Sequence, residues 1–413
     1  MPVRFVPQTR VTRIALAIVM LTPIAGRAET PPPAAQGVRA PALVQLHVET
    51  IAPPGTPMPR FKVDAAWPTM PADMMLGQVS GVAVDGDDDV WVVHRPQSLT
   101  ATDTGLAQTP PIAVCCRPAP PVVRFSKAGQ YLTGWGGAAS APTIAGVNQW
   151  PKSLHGVFVD RDKSVWFGGN GDGDHVVLHY DRDGGFIRAF GSREATAGNL
   201  DRAKLGNPSD VTVVDGTLLV SDGYINKRII GFDAASGAYR GLWGAYGQPP
   251  AGGERVGDFD PTHAANDDDG PADPKSKSFG AIVHCVVPTK DGHVYVCDRR
   301  NNRAQLFKRD AKGDLSFVRD LVIGAGTGGT RTVTDIALSP DQTYLYVADM
   351  MNGRIWILKR ATHEVLGSVG RIGRYAGEFT WLHSIATDSE GNIYATEVNT
   401  GRRVQKLVFT GIE

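Results

Sequence analysis

Six stretches of this chain alternate apolar and polar positions in one shared frame. They are VSGVAVDGDDDVWVVH, LHGVFVDRDKSVWFGG, SDVTVVDGTLLVSD, VHCVVPTKDGHVYVCD, TDIALSPDQTYLYVAD and LHSIATDSEGNIYATE. Each begins with a period-2 run, turns at Asp, Gly or Asn, and resumes with an aromatic-rich run, which predicts a β-hairpin. A third run follows in most units: VVLHYD, RIIGFD, RAQLFK, RIWILK and RVQKLV. Gly-aromatic links such as TGWGG, RAFGS and GLWGAYG separate the units. Three or four antiparallel strands per unit, repeated six times, predict an all-β, six-bladed β-propeller. After His383 the chain has room for three strands, so PRFKVDAAW near residues 59–67 is expected to supply the last blade's outer strand and join the two ends of the ring.

Length alone would suggest several domains for 413 residues, but a closed ring of repeats is one unit. The propeller is read over 60–413, with inserts near 97–121 and 248–279. Arg4, Arg10 and Arg13, the apolar run from Ile14 to Ala25 and small residues around Ala28 read as a signal peptide over 1–28. No other apolar run approaches membrane length. Residues 29–59 are rich in Pro and Ala and read as a disordered tether. A periplasmic or secreted protein is expected, with no membrane attachment after signal cleavage. The 42 basic and 42 acidic residues balance, giving no reason to expect a nucleic-acid partner, and a closed propeller of balanced charge is most simply a monomer.

Four cysteines in an exported chain suit disulfides. Cys285 and Cys297 flank a hairpin turn symmetrically, so a cross-strand bridge is expected. The adjacent Cys115 and Cys116 form either a vicinal disulfide or two thiols.

The chemistry sits at one repeat position. Aligned at the strand start, it reads Ser80, His155, Asp210, His284, Asp335 and His383. In a six-fold ring the three histidines fall on alternate blades and converge on the axis. Three imidazoles with an open fourth position match a catalytic zinc site rather than a closed structural one. The other histidines show no such register. A second layer at the ends of the second strands contains Arg95, Asn170, Tyr224, Arg299, Met350 and Val398. Two arginines and a phenol beside a metal point to a small carboxylate-bearing or peptide substrate and to proton transfer by tyrosine.

The recurring Asp…Asn-x-Arg pattern, at Asp222–Arg228, Asp298–Arg303 and Asp349–Arg354, resembles NHL repeats. These side chains are expected to tie neighbouring strands together. The stretches WVVHR, LHG, SDGY, VHCVV…VCDR and LHSIATD…TGRRVQKL make the chain similar to the peptidyl-α-hydroxyglycine α-amidating lyase family. That resemblance implies zinc on His155, His284 and His383, Tyr224 as base, and Arg95 and Arg299 engaging the substrate carboxylate. It also implies a calcium near the axis, held in part by the carbonyls of Val82 and Val157. The acidic ligand the family carries directly after the third histidine is Ser384 here. The activity implied is cleavage of an N-acyl-α-hydroxyglycine to an amide and glyoxylate. The alternatives are another metal-dependent propeller enzyme, such as a lactonase-type hydrolase, and a non-catalytic binding or scaffold propeller.

Overall fold

The computed structural model describes residues 40–250 and 272–413. Six antiparallel sheets carry the six repeats. Their innermost strands are Gln78–Val84, Leu154–Val159, Asp210–Val214, Val283–Pro288, Val333–Leu338 and Leu382–Thr387, in blades 1 to 6. Within each blade the chain meanders outward, as in blade 2: Leu154–Val159, Val165–Gly169, Val176–Tyr180, Phe186–Gly191. Each inner strand contacts the next around the ring, and the strand of blade 6 contacts that of blade 1. The ring is therefore closed, as the repeat predicts.

The closing strand is the expected one. Pro59–Asp64 pairs antiparallel with Arg403–Ile412 and becomes the fourth strand of blade 6, with Val63 opposite Leu407. The tether expected over 29–59 needs correction. From residue 43 on it is ordered as two short edge strands. Leu43–Gln45 adds a fifth strand to blade 6 and Val48–Thr50 a fifth to blade 5, so these two blades are not four-stranded. Leu46, Ala52 and Met58 explain it: all are buried in the apolar cluster that holds Phe61, Tyr346 and Leu366. Outer strands leave backbone N–H and C=O groups unpaired, and the segment satisfies them. The signal segment and the start of the tether lie outside the described residues. No helix among the described residues is long and apolar enough to cross a membrane.

Aromatic and branched side chains fill the gaps between blades. Trp91, Val93, Phe167 and Tyr180 pack in one cluster between blades 1 and 2, with the Phe167 and Tyr180 rings stacked at 5.4 Å. The Asp…Asn-x-Arg residues tie strands together as expected. The fully buried Arg228 donates to the Asp222 carboxylate at 2.9 Å and to the carbonyls of Asn199 and Lys204 at 2.6 and 2.7 Å. Arg303 repeats this with Asp298 at 2.8 Å, and Asn226, Asn301 and Asn352 each donate to the aspartate of their own repeat. In blade 5, Arg354 turns instead to Glu49 of the added edge strand, and Trp356 Nε1 takes its place on Asp349 at 2.9 Å.

Cys285 and Cys297 are bonded across the hairpin of blade 4, and Cys115 and Cys116 to each other. The latter pair lies in the insert near 97–121. That insert leaves the end of the second strand of blade 1 and adds Arg117–Pro118 alongside Met74–Met75. Most of the insert near 248–279 lies outside the described residues.

Candidate metal centre

The inner strands deliver the three histidines through a local break in the ladder. Pairing jumps from Leu154 to Val157, from Val283 to Val286 and from Leu382 to Ile385. In each case the histidine and the residue after it are left out of register. Such bulges re-aim a side chain that a regular strand would send into the gap between blades. The result is a near-equilateral triangle of rings, with centroids 4.9 Å apart for His155–His284, 4.6 Å for His155–His383 and 4.8 Å for His284–His383. Their ligand nitrogens lie within 4.8 Å of one another.

Hydrogen bonds fix which nitrogen faces the axis. Nδ1 of His155, His284 and His383 lies 2.5, 2.6 and 2.7 Å from the carbonyl oxygens of Ser209, Thr334 and Ser80. A carbonyl only accepts, so each Nδ1 carries the proton and each Nε2 presents a lone pair. This is the outer support expected of metal-binding imidazoles.

These contacts also correct the repeat frame. The residues alternating with the histidines are Ser80, Ser209 and Thr334; Asp210 and Asp335 lie one position later, level with Gly156, Cys285 and Ser384. The small hydroxyl residues suit the crowded axis. Ser209 Oγ lies 2.9 Å from the carbonyl oxygen of Ser221 and 2.5 Å from that of Val283, and its one proton is shared between them across neighbouring blades.

Burial, reinforced for His155 and His284 by the charge of neighbouring imidazoles, pushes the imidazoles below their ordinary range, His383 to about 3. They are neutral at pH 7, as metal ligation requires. In the metal-free protein the folded values lie below the unfolded value of about 6.5, so the unfolded chain binds more protons once pH drops under it. This contribution to stability is complete above pH 6.5 and is lost as pH falls toward the folded values. Asp210 and Asp335, held above the ordinary carboxylate range, act in the opposite sense as pH falls. We therefore expect the metal-free parent to lose more melting temperature from pH 7 to pH 4 than a metal-free His383→Gln variant, and equal losses in the two would contradict these neutral, buried imidazoles.

Above the triangle stand the residues at the second-strand ends. Tyr224 is buried, and its hydroxyl lies 2.7 Å from Nε2 of His155 and 3.5 Å from that of His284. Burial raises its pKa, while Arg299, Arg95 and a hydrogen bond from Asn170 pull the other way. Arg95 donates to the Leu154 carbonyl at 2.9 Å, to Gln78 Oε1 at 3.0 Å and to Asn170 Oδ1 at 3.1 Å. Arg299 is 7% exposed and hydrogen-bonds Tyr224. Neither arginine forms an ion pair with a carboxylate among the described residues. Buried cations without a counter-ion are costly, and an anionic ligand removes that cost.

The sequence places Asn170 in this layer without giving it a task. Its Oδ1 accepts from Arg95 and, at 2.7 Å, from Ser153 Oγ. Its amide N–H₂ is thus left to face Tyr224. Nothing in the sequence marks Ser153 or Gln78 as parts of this network.

Below the triangle a channel of about 790 Å³ opens on the opposite face, lined by Val82, Val157, Asp210, Asp335 and Ser384. Ser384 follows the third histidine, and Asp210 and Asp335 bring two carboxylates to the same layer from blades 3 and 5. Both are held above the ordinary carboxylate range, Asp335 to about 6, by burial, with mutual repulsion added for Asp210. Asp335 accepts from Ser384 Oγ at 2.8 Å and from the Ile385 N–H at 2.9 Å; Asp210 accepts from the Val286 N–H at 3.0 Å.

No family model matches the chain. Among curated proteins it is similar to mouse "NHL repeat-containing protein 3", 24% identical over 363 residues that cover 85% of this chain and 84% of the relative. It is similar to a "Probable peptidyl-alpha-hydroxyglycine alpha-amidating lyase" of Caenorhabditis elegans, 21% identical over 342 residues, 79% of this chain and 73% of the relative. Rat "Peptidylglycine alpha-amidating monooxygenase" is 24% identical over 363 residues, which are 82% of this chain but 31% of that longer protein.

Proposed function

We propose that the protein is an exported, zinc-dependent carbon–nitrogen lyase that cleaves an N-acyl-α-hydroxyglycine into an amide and glyoxylate. The observation that carries this reading is the Tyr224 hydroxyl, 2.7 Å from the axial nitrogen of one of three converging imidazoles and flanked by Arg95 and Arg299, which form no ion pair with a carboxylate among the described residues. Three neutral imidazoles with Nε2 inward are a donor set that fits zinc. His155, His284 and His383 would hold it, and when bound it supplies Lewis acidity that lowers the pKa of a substrate hydroxyl.

The remaining steps fall to the chain's own residues. Arg95 and Arg299 bind the substrate carboxylate, with Gln78 and Asn170 fixing the Arg95 fork. Burial keeps Tyr224 a phenol in the metal-free site, while Arg95, Arg299 and a cation held by the three imidazoles would favour its phenolate, the form that takes the hydroxyl proton. The C–O bond gains double-bond character, the C–N electron pair moves to nitrogen, and Tyr224 returns its proton there. An amide and glyoxylate leave, and the tyrosine is restored. Asn170 and Arg299 hold the phenol oxygen toward the axis through this exchange.

Glyoxylate release from N-benzoyl-α-hydroxyglycine by the zinc-loaded protein tests the reading. A zinc-loaded protein that releases none overturns it. A binding propeller is the second reading, because the NHL relative's name states no activity. The lactonase alternative gains nothing from an imidazole-only site. Export is supported by the leader read in the sequence and by two disulfides. A monomer acting on a small carboxylate, with no nucleic acid or membrane partner, completes the proposal.

The calcium implied by the resemblance belongs to the channel layer. Oxygen donors suit it, and Asp210 with Asp335 supply the charge that Ser384 does not. Asp210→Asn combined with Asp335→Asn is expected to abolish calcium-dependent stabilisation, which at 100-fold above Kd amounts to about 2.7 kcal/mol in the parent protein. Thermal denaturation with calcium and with chelator checks this. A parent protein indifferent to both would mean that the two carboxylates share a proton instead.

A further inference from the structure

The ring above the histidines is polar over four blades and apolar over two. One backbone contact identifies its members. The N–H of Asn170 donates to the Ser153 carbonyl at 2.9 Å, that of Tyr224 to Asn207 at 3.2 Å, that of Met350 to Thr332 at 3.2 Å and that of Val398 to Trp381 at 3.1 Å. Met350 and Val398 thus hold in blades 5 and 6 the places that Asn170 and Tyr224 hold in blades 2 and 3. They are 4% and 5% exposed, yet neither belongs to any of the apolar clusters that glue blades together. Their backbone contacts set them level with Asn170 and Tyr224 around the site.

The residue two before the shared position is polar in blades 1, 2, 3 and 5, as Gln78, Ser153, Asn207 and Thr332, and apolar in blades 4 and 6, as Ile282 and Trp381. In blades 1 and 2 the residue two before the shared position is Gln78 or Ser153, and each hydrogen-bonds the ring residue of its own blade. In blade 6 that residue is Trp381. Its φ of 63° lies in the left-handed region, a rare setting for a bulky side chain. Among the described residues its indole makes no hydrogen bond and no ring contact, and it is only half-buried. Strain of this kind persists where the surroundings impose it and gathers at ligand sites.

We infer that Met350, Trp381 and Val398 form an acyl-binding wall, so that the preferred ligands are N-acylglycine-type molecules with an aromatic or long aliphatic acyl group. This deepens the lyase reading and rests on it for the orientation of the substrate. With the carboxylate drawn to Arg95 and Arg299 and the reacting carbon over the histidines, the acyl group is left facing blades 5 and 6. A charged acyl group there would lose its hydration without gaining a partner.

The test uses unreactive N-acylglycines on the zinc-loaded full chain, with affinity read by calorimetry. N-benzoylglycine and N-octanoylglycine are expected to bind at least about tenfold tighter than N-acetylglycine or N-succinylglycine. Both Trp381→Gln and Met350→Gln should narrow that gap, and the half-buried Trp381 makes the first a variant that folds even if the second does not. Equal affinities across the four ligands, tighter binding of the succinyl ligand, or a gap untouched in a folded Trp381→Gln protein would overturn the inference. Turnover separates it from the lyase reading. Apolar preference in binding with no cleavage of N-benzoyl-α-hydroxyglycine keeps the wall and removes the lyase. Cleavage of N-benzoyl- and N-acetyl-α-hydroxyglycine with equal kcat/KM keeps the lyase and removes the wall.

Discussion

Replacing His284 by alanine is expected to remove the metal and the activity together while leaving the fold in place. His284 is one of three converging imidazoles, and its Nδ1 is anchored to the Thr334 carbonyl at 2.6 Å. A catalytic zinc site needs three protein ligands. Disturbing only the outer partner of such a ligand costs about 10–100-fold in metal affinity or activity, and deleting the ligand costs more. The fold survives because His284 lies in none of the apolar clusters between blades. Metal analysis of protein purified without chelator, for parent and variant side by side, reads the result. Stoichiometric zinc in the parent, absent from the variant, is the expected outcome. Full zinc occupancy in His284→Ala would place the metal elsewhere, and the catalytic proposal would fall with it.

Tyr224→Phe is expected to lower kcat by about 10²–10⁴, the range of a positioned proton-transfer group. That corresponds to roughly 3–5 kcal/mol of barrier. Phenylalanine keeps the ring and removes only the oxygen that sits 2.7 Å from His155 Nε2. Zinc content should be unchanged, because the three Nε2 atoms keep their Nδ1 anchors on Ser209, Thr334 and Ser80. KM should move little, because Arg95 and Arg299 remain to hold the carboxylate. Steady-state kinetics with metal analysis of the same preparation makes the measurement. Undiminished kcat would exclude Tyr224 as the base, and loss of zinc would mean that the phenol supports the metal rather than the chemistry.

The ring, its closing strand and the histidine triangle are all legible in the sequence. Strand alternation repeats every blade, and a motif recurring in alternate blades stands out against it. In blades 3 and 5 the repeat frame in the sequence points to Asp210 and Asp335, one residue beyond Ser209 and Thr334, which hold the shared position in the ring. In blade 5 the bulge at this point adds a residue to the strand without disturbing the alternation that follows, so the sequence alone does not mark the offset. The N-terminal edge strands are hidden in the sequence for a related reason. The Pro/Ala-rich composition of 29–59 reads as disorder, and the outer strands that bind Leu43–Gln45 and Val48–Thr50 are brought near only when the ring closes.

Local pattern alone therefore determined the architecture and the identity of the histidines that face the axis, because both repeat along the chain with a period that physical sterics impose. Tertiary structure decided what those side chains are poised to do. The carbonyls that set the histidine tautomers are main-chain atoms with no signature in the sequence. The Asn170 bridge between Arg95 and Tyr224 joins residues from three blades. The pairing of Asp210 with Asp335, and the apolar wall of Met350, Trp381 and Val398, likewise arise only when a closed ring gathers strand ends that lie far apart along the chain.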